Sequence, residues 1–230
     1  MLGGLAAICV APPAVAQVAI EGVIQSDYRV RGYSVSDGKP AAGVSVTYDH
    51  PSGVYVGAAA AGSISGGEPE LVALQGNLGY AVRLSPTLSL DGGVSTAKYF
   101  YGLGTTRNYD YTELYLGLSL PRVTARVSYS PDYYNTDTPS LYAEIDGGIE
   151  PAPDWLVSAH VGALVYLDPP PLYLAKRRYD WRLGVSRQFG AYGVHLDLSG
   201  RFLGRTAYAF PGAGYATDRT VLVASLTRAF

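Results

Sequence analysis

Apolar and polar residues alternate along most of this chain. In residues 109–120 leucine occupies every second position from Leu114 to Leu120, and the positions between them carry polar or small residues. Because successive side chains of a strand point to opposite faces, a period of two predicts a strand with one apolar and one polar face. The pattern therefore predicts β-structure, and the number of times it repeats indicates which β-architecture the chain forms.

Twelve segments show this alternation. They cover residues 18–34, 43–50, 54–64, 71–84, 87–101, 109–120, 123–133, 141–150, 155–166, 179–189, 194–203 and 220–230. The first segment is longer than an ordinary globular strand, which favours a barrel wall that extends beyond a membrane. Residues 54–64 are small and apolar on both faces, so the pattern leaves the phase of that strand open.

The connections alternate in length, which is a second and independent signal. Short turns fall at residues 50–53, 85–86, 121–122, 151–154 and 190–193, and longer loops at residues 35–40, 66–70, 102–108, 135–140, 168–178 and 204–218. An even number of strands with short turns at one end and long loops at the other is typical of outer-membrane barrels. We therefore predict an all-β, antiparallel, up-and-down transmembrane β-barrel of twelve strands, with both termini in the periplasm.

A spanning sheet in lipid has to close on itself, since every backbone polar group must be paired. Tyrosines near the ends of the apolar faces are placed as an aromatic girdle would be: Tyr28, Tyr48, Tyr80, Tyr129 and Tyr179. The alternative is a soluble β-sandwich or lipocalin-like barrel with its apolar face turned inward. Charged inner faces on nearly every strand and the terminal Phe230 favour the membrane barrel.

The first sixteen residues differ from the rest. Residues 1–16 combine an apolar stretch, Pro12-Pro13 and a small-x-small triplet ending at Ala16, which predicts a signal peptide cleaved before Gln17. The basic residues that usually begin such a peptide are missing. A buried N-terminal helix is the alternative, and the two prolines would break it. We expect one domain, the barrel of residues 17–230, which contains no cysteine.

Composition narrows the class of protein further. The 230 residues include 28 glycines and 20 tyrosines, only 16% are charged, and the formal net charge is −2. Such a balance excludes a basic nucleic-acid-binding protein, so we expect no nucleic-acid partner. The chain has no run of about 18 apolar residues, which excludes helical membrane spans.

One segment carries a family resemblance. Residues 26–34, SDYRVRGYS, followed by DGKPA at residues 37–41, resemble the opening signature of the TorF family of porins, and residues 50–57, 129–133 and 179–185 are similar to its later motifs. The resemblance covers essentially the whole mature chain. It departs at Arg29, where an apolar residue is more usual, and at Val35, where glutamine is common. It implies an outer-membrane barrel with a transport function.

The polar faces carry charges of both signs, which would create a transverse field favouring hydrated solutes. We expect passive diffusion of small hydrophilic solutes through a narrow charged lumen. The candidate selectivity residues are Arg29, Arg31, Glu113, Arg126, Glu144, Asp146, Arg182 and Arg201. Eight strands are filled by side chains and sixteen leave a channel. A sealed, non-conducting barrel with a structural or surface-interaction role is therefore the alternative, favoured if Tyr111, Tyr115 and Tyr142 fill the bore.

Catalysis is not expected. His160 lies two residues from Ser158, and His195 two residues from Asp197, which suggests a nucleophile with its base. Both histidines alternate inward, however, whereas an outer-membrane lipase needs such a group near the lipid face. We therefore predict that the protein is not an enzyme.

No cofactor is expected either, and the predicted partners follow from the barrel. Glu144 and Asp146 face the same way, but a solvated lumen wall explains them better than acid–base chemistry. Three histidines without cysteine or carboxylate at ligand spacing argue against a zinc site. The basic run at residues 176–178 is either simply solvated or lies beside lipopolysaccharide. We expect outer-membrane lipid around the barrel and recognition of the last strand, ending in Phe230, by the barrel-assembly machinery.

Overall fold

The computed structural model describes residues 16–65, 67–100, 109–171, 174–202 and 220–230. Its strands are β1 (Gln17–Gln25), β2 (Arg29–Val30), β3 (Tyr33–Ser34), β4 (Ala41–Asp49), β5 (Val54–Ser65), β6 (Glu68–Ser85), β7 (Leu88–Tyr99), β8 (Tyr109–Leu120), β9 (Val123–Ser130), β10 (Ser140–Ala152), β11 (Trp155–Tyr166), β12 (Arg177–Phe189), β13 (Tyr192–Phe202) and β14 (Val221–Ala229). All strands except β2 and β3 belong to one sheet.

That sheet is a closed barrel of twelve antiparallel strands, as predicted. Each strand pairs with its neighbours in the chain, and β1 closes the ring by pairing with both β4 and β14. Glu21, for example, lies opposite Ser45 on one side and Ala229 on the other. Closure leaves no sheet edge exposed, which is the condition for β-structure in lipid.

The outer face of the barrel is apolar and ends in two bands of aromatic residues. Leu116, near the middle of β8, is 65% exposed. The aromatic residues are Tyr48, Tyr80, Trp155, Phe189 and Tyr192 at one end and Tyr129, Tyr179 and Phe202 at the other. Along β12 the two bands are separated by ten residues, from Tyr179 to Phe189, or about 25 Å for a strand tilted by roughly 40°. This height matches the apolar band of a membrane barrel.

No helix among the described residues is long and apolar enough to cross a membrane.

The two ends of the barrel differ as predicted. One end, here the turn side, carries the connections at residues 50–53, 86–87, 121–122, 153–154 and 190–191. Both termini of the barrel lie there, since β1 starts opposite Asp49, the last residue of β4. The other end, here the loop side, carries the longer connections, apart from the short one between β5 and β6. The predicted signal peptide at residues 1–16, apart from Ala16, and the predicted loops at residues 102–108 and 204–218 lie outside the described residues.

Two predicted loops are shorter than expected. β5 ends at Ser65 and β6 already begins at Glu68, so residues 68–70 of the predicted loop belong to β6. The loop predicted at residues 168–178 ends earlier because β12 already begins at Arg177. Arg178 therefore points into the barrel and is buried, while Lys176 and Arg177 are exposed. The basic run is not a single exposed surface.

The main error of the prediction concerns the first strand. The wall strand β1 ends at Gln25 rather than at residue 34, and the chain then folds inward. Tyr28, predicted to belong to the outer girdle, is only 2% exposed inside the barrel. The alternation is real, but Tyr28 and Val30 meet a buried apolar cluster instead of lipid. A period of two identifies the apolar face without saying what covers it.

The buried core of the molecule therefore lies inside the barrel, in its loop-side half. It is formed by side chains of the inward-folded chain, of the surrounding wall strands and of the connection between β9 and β10: Tyr28, Val30, Tyr33, Val35, Tyr99, Tyr111, Tyr133, Tyr134, Tyr142, Leu164 and Tyr166. The turn-side half of the interior is lined by polar and charged side chains, among them Arg126 and Arg182. This division into two halves positions the candidate site.

Candidate functional site: the barrel lumen

Residues 26–40, here called the lumen segment, form a small hairpin inside the barrel. β2 and β3 pair through Val30 and Tyr33, and the two residues between them, Arg31 and Gly32, have positive φ angles of 49° and 77°. Two positive φ angles at the centre of a two-residue turn define a type I′ turn, the favoured connection of a tight hairpin. The Asp27 carboxylate accepts hydrogen bonds from Arg29 and from two serines of the segment. The hairpin is thus fixed largely by its own residues.

Arg31, at the tip of this hairpin, binds the opposite wall. Its guanidinium donates two hydrogen bonds to the Glu113 carboxylate of β8, at 2.9 and 2.8 Å. Both side chains are buried, and the guanidinium carbon lies 3.8 Å from the ring centre of Tyr142. Burial by itself would lower the pKa of Arg31, but the Glu113 carboxylate raises it, and the net pKa lies well above its ordinary value. The Arg31 guanidinium therefore stays charged, and its two hydrogen bonds to Glu113 anchor the lumen segment.

Gly32 brings the hairpin into close contact with another part of the wall. A Cβ atom on Gly32 would lie 2.6 Å from Cγ of Arg201 and 2.9 Å from Cβ of Asp180. The position thus needs glycine for two reasons, the positive φ angle and the lack of space. The tip of the lumen segment touches β8 on one side and β12 and β13 on the other, so it reaches across the barrel.

Tyrosines fill the loop-side half around this tip. The rings of Tyr111 and Tyr133 lie 4.9 Å apart, and those of Tyr133 and Tyr134 lie 4.1 Å apart. Two further arginines join them. Arg178 donates a hydrogen bond to the Tyr166 hydroxyl, and the Arg201 guanidinium carbon is 4.1 Å from the ring centre of Tyr33. This half of the lumen is a constriction built from aromatic rings and guanidinium groups.

The turn-side half is more open. Arg126 of β9 binds Asp91 of β7 at 3.2 Å, and the Arg126 side chain is 31% exposed. Asp91 also accepts a hydrogen bond from the Tyr55 hydroxyl at 2.9 Å, and the guanidinium of Arg126 lies over the ring of Tyr115. Since these residues point into a closed barrel, their exposed area faces the space inside it.

A second charged cluster lies on β10, β11 and β12. His160 contacts Asp146 through Nδ1 at 2.9 Å and Asp180 through Nε2 at 3.0 Å. Arg182 reaches both Asp146, at 3.5 Å, and Asp197, at 3.8 Å. Carboxylates therefore lie at ligand spacing from His160, and the expectation that no histidine has such neighbours is wrong.

The structure places all eight predicted selectivity residues inside the barrel. Arg31 is joined to Glu113, Arg182 to Asp146, Arg126 to Asp91 and Arg29 to Asp27. Glu144 lies beside Asp146 and His160, and Arg201 contacts the lumen segment. Arg29 and Arg31 belong to the lumen segment and not to a wall strand. Whether these eight residues select solutes stays a prediction.

Sequence reasoning missed the grouping around His160 and the inward position of Arg178. The grouping was not derivable from the short turn at residues 153–154, because a register shift between Ile149 and Ala152 moves the pairing by one residue before Asp146 comes to lie opposite His160. The inward position of Arg178 was readable, since Arg178, Asp180 and Arg182 occupy alternate positions. The predicted loop ended two residues too late, at residue 178 instead of residue 176, and this hid the pattern.

A closed twelve-stranded barrel with an apolar outer face and a charged interior defines a class, the porin-like outer-membrane barrels. The chain is similar to a KdgM porin (8% identity, TM-score 0.51, covering 94% of this chain and 99% of that one). It is also similar to a KdgM porin solved in complex with disordered oligogalacturonate (8%, 0.53, 94% and 99%). These likenesses confirm the predicted fold, and the apolar outer face places such a barrel in the bacterial outer membrane.

The family follows from a family model. The model described as "Bacterial protein of unknown function (Gcw_chp)" matches residues 12–230, and the chain belongs to this family. No curated protein matches the chain. The TorF name, expected from residues 26–34, stays a prediction.

Proposed function

We propose that this protein is an outer-membrane porin through which small hydrophilic solutes diffuse passively. The observation that carries the proposal is the exposure of charged side chains inside a closed barrel. The side chain of Asp146 is 42% exposed and that of Arg182 is 30% exposed, although both point away from the lipid. Charged groups that keep this much contact with the interior need a water-filled space there.

The arrangement of charges supports the choice of solute. Arg126 and Arg182 alternate with Asp91, Asp146 and Asp197 around the turn-side half. Opposed charges produce a field across the path, which favours polar solutes and disfavours apolar ones. Passage along such a path needs no covalent step, so we expect neither a cofactor nor an enzymatic activity.

A second candidate is a sealed barrel with a structural or surface-interaction role. One observation favours it: Tyr111, Tyr115 and Tyr142 are all buried, and the lumen segment lies among the side chains of the loop-side half. In the sealed barrel this half never opens. In the porin this half is a constriction. Hydrated solutes pass it either beside the lumen segment or after the segment has been displaced.

Conductance of the refolded protein in a planar bilayer separates the two candidates. A matched variant replaces residues 27–39 with a short glycine–serine linker and leaves every wall strand intact. Discrete conductance steps from the wild-type protein support the porin. A silent wild-type protein with a conducting variant identifies the sealed barrel, and two silent but heat-modifiable, folded proteins reject a pore of either kind.

The orientation and assembly of the barrel belong to the same proposal. We infer that residues 1–16 are a cleaved signal peptide and that the turn side faces the periplasm. Exposed Lys176 and Arg177 on the loop side would then lie on the lipopolysaccharide side. Phe230 is 70% exposed beside the seam between β1 and β14, where the assembly machinery would bind it. Protease accessibility of the two sides in intact cells tests this orientation.

A further inference from the structure

Three potential metal ligands converge on the lumen wall. Asp146 of β10 lies directly opposite His160 of β11, and Glu144 of β10 lies opposite Gly162. Gly162 has no side chain, and the Tyr142 hydroxyl and the Asp180 carboxylate occupy the space that one would take. One ligand atom from each of Glu144, Asp146 and His160 lies within 4.8 Å of the other two. Barrel register, and not a mobile loop, therefore holds the three groups together.

A second layer of residues orients the histidine. The Asp180 carboxylate lies 3.0 Å from Nε2 of His160 and accepts a hydrogen bond from the Tyr142 hydroxyl at 3.2 Å. An ionised carboxylate only accepts hydrogen bonds, so Nε2 of His160 donates to Asp180 and Nδ1 donates to Asp146, and a metal ion would take the place of the Nδ1 proton. Nδ1 is thereby turned toward Asp146 and Glu144. A carboxylate that fixes the far nitrogen of a histidine is the usual outer layer of a metal site.

The charges of the cluster also favour a divalent cation. Glu144, Asp146 and Asp180 contribute −3, while Arg182, 3.5 Å from Asp146, and the His160 ring between Asp146 and Asp180 contribute +2, which leaves −1. Arg182 divides its charge between Asp146 and Asp197, at 3.5 and 3.8 Å. It therefore does not fully neutralise the cluster.

We infer that Glu144, Asp146 and His160 form a binding site for a divalent transition-metal ion, with Asp180 as the residue that positions His160. One imidazole nitrogen with two carboxylate oxygens suits Zn²⁺, whereas Ca²⁺ and Mg²⁺ are bound mainly by oxygen. Donor atoms around a tetrahedral zinc ion lie about 3.4 Å apart, so small side-chain rotations would bring the three together. This site goes beyond the proposed function, because binding does not require passage.

Titration calorimetry of the refolded full chain with ZnCl₂ tests the site. The protein is kept in detergent and carries no affinity tag, since a histidine tag would bind the ion itself. We expect one ion per chain, with affinity reduced at least tenfold in both His160→Ala and Asp146→Asn. His195→Ala is the matched control: His195 also lies inside the barrel but binds Thr227, at 3.2 Å, and its removal should leave the affinity unchanged.

A positioning role for Asp180 has its own readout. Asp180→Asn should weaken binding by about 10- to 100-fold, the usual effect of an outer-layer change. The absorption spectrum of bound Co²⁺ should keep its shape, because the ligands themselves are unchanged. A new spectrum would make Asp180 a ligand and overturn the assignment of roles.

The inference is overturned by three results. These are no saturable Zn²⁺ binding by folded wild-type protein, equal binding by His160→Ala, or equal loss in His195→Ala. Heat-modifiable migration of each variant confirms that the barrel has folded. Calorimetry needs no bilayer, so a failure of zinc binding and a failure of conductance are seen separately.

Discussion

Removal of the Glu113 carboxylate should release the lumen segment. In Glu113→Ala the guanidinium of Arg31 stays among buried tyrosines without its partner, while every wall hydrogen bond of β8 is kept. The barrel strands do not depend on the pair, because Arg31 lies outside the twelve-stranded sheet. The lowest free energy is therefore reached when Arg31, and with it the hairpin, moves out of the lumen.

The size of the effect follows from the burial of the pair. Its side chains are 9% and 1% exposed and are joined by two hydrogen bonds. Loss of one partner of a buried ion pair costs about 3–5 kcal/mol. The undocked population should therefore rise roughly a hundredfold to a few thousandfold. In Arg31→Met/Glu113→Leu neither charge remains, and docking should stay close to that of the wild-type protein.

Limited proteolysis measures the undocked population. Arg29 and Arg31 lie inside the barrel in the docked segment, and a trypsin-like protease reaches them only after undocking. When undocking is fast relative to cleavage, the cleavage rate is proportional to the undocked population. Mass spectrometry separates these two cuts from cuts at exposed sites such as Arg177, which serve as an internal standard.

Asp91→Ala is the matched control. It breaks the ion pair with Arg126, which joins two wall strands and does not involve the lumen segment. Cleavage at Arg29 and Arg31 should stay at the wild-type rate. Wild-type cleavage in a folded Glu113→Ala protein would refute the reasoning, because it would mean that the pair does not hold the segment.

Three further predictions address glycine, lipid and charge. Gly32→Ala should increase cleavage of the lumen segment more than Gly38→Ala does, since both glycines have positive φ but only a Cβ at Gly32 meets the wall; equal effects would exclude steric contact as the cause. Leu116→Arg, on the lipid face, should lower the free energy of unfolding in lipid vesicles by about 2–4 kcal/mol, and Thr124→Arg, on the lumen face, should lower it by much less. Urea titration measures both values, and equal losses would mean that the two faces are wrongly assigned. Arg182→Glu should shift the reversal potential of a conducting barrel toward cation selectivity, and an unchanged potential would remove Arg182 from the ion path.

The barrel itself was predictable because two independent patterns agree on it. Period-two alternation identifies the strands, and the alternating lengths of the connections identify the two ends. Lumen-segment placement was not predictable from alternation, since Tyr28 and Val30 continue the phase of β1. A turn signal was present at Arg31-Gly32, but a single glycine in an alternating run also fits a wall strand.

For the candidate site, the face to which each side chain points was easier to predict than the residue that it contacts. Alternation turns Glu113, Arg126 and Asp146 inward, and the structure agrees. The Asp146–His160 contact does not follow from the short turn at residues 153–154, because a register shift between Ile149 and Ala152 moves the pairing by one residue. Arg31 and Glu113 are 82 positions apart, and their contact depends on the course of the lumen segment across the barrel, which no local pattern contains.

The contacts of the lumen segment also bear on the order of assembly. The segment follows β1 and is made early, but the groups that hold it belong to β8, β12 and β13. The ring itself closes only when β14, the last strand, pairs with β1. Stable docking therefore has to wait for most of the wall to form. When Arg29 and Arg31 are protected from protease cleavage, the late strands are already in place. Protease protection of the lumen segment therefore reports that the barrel has been fully assembled.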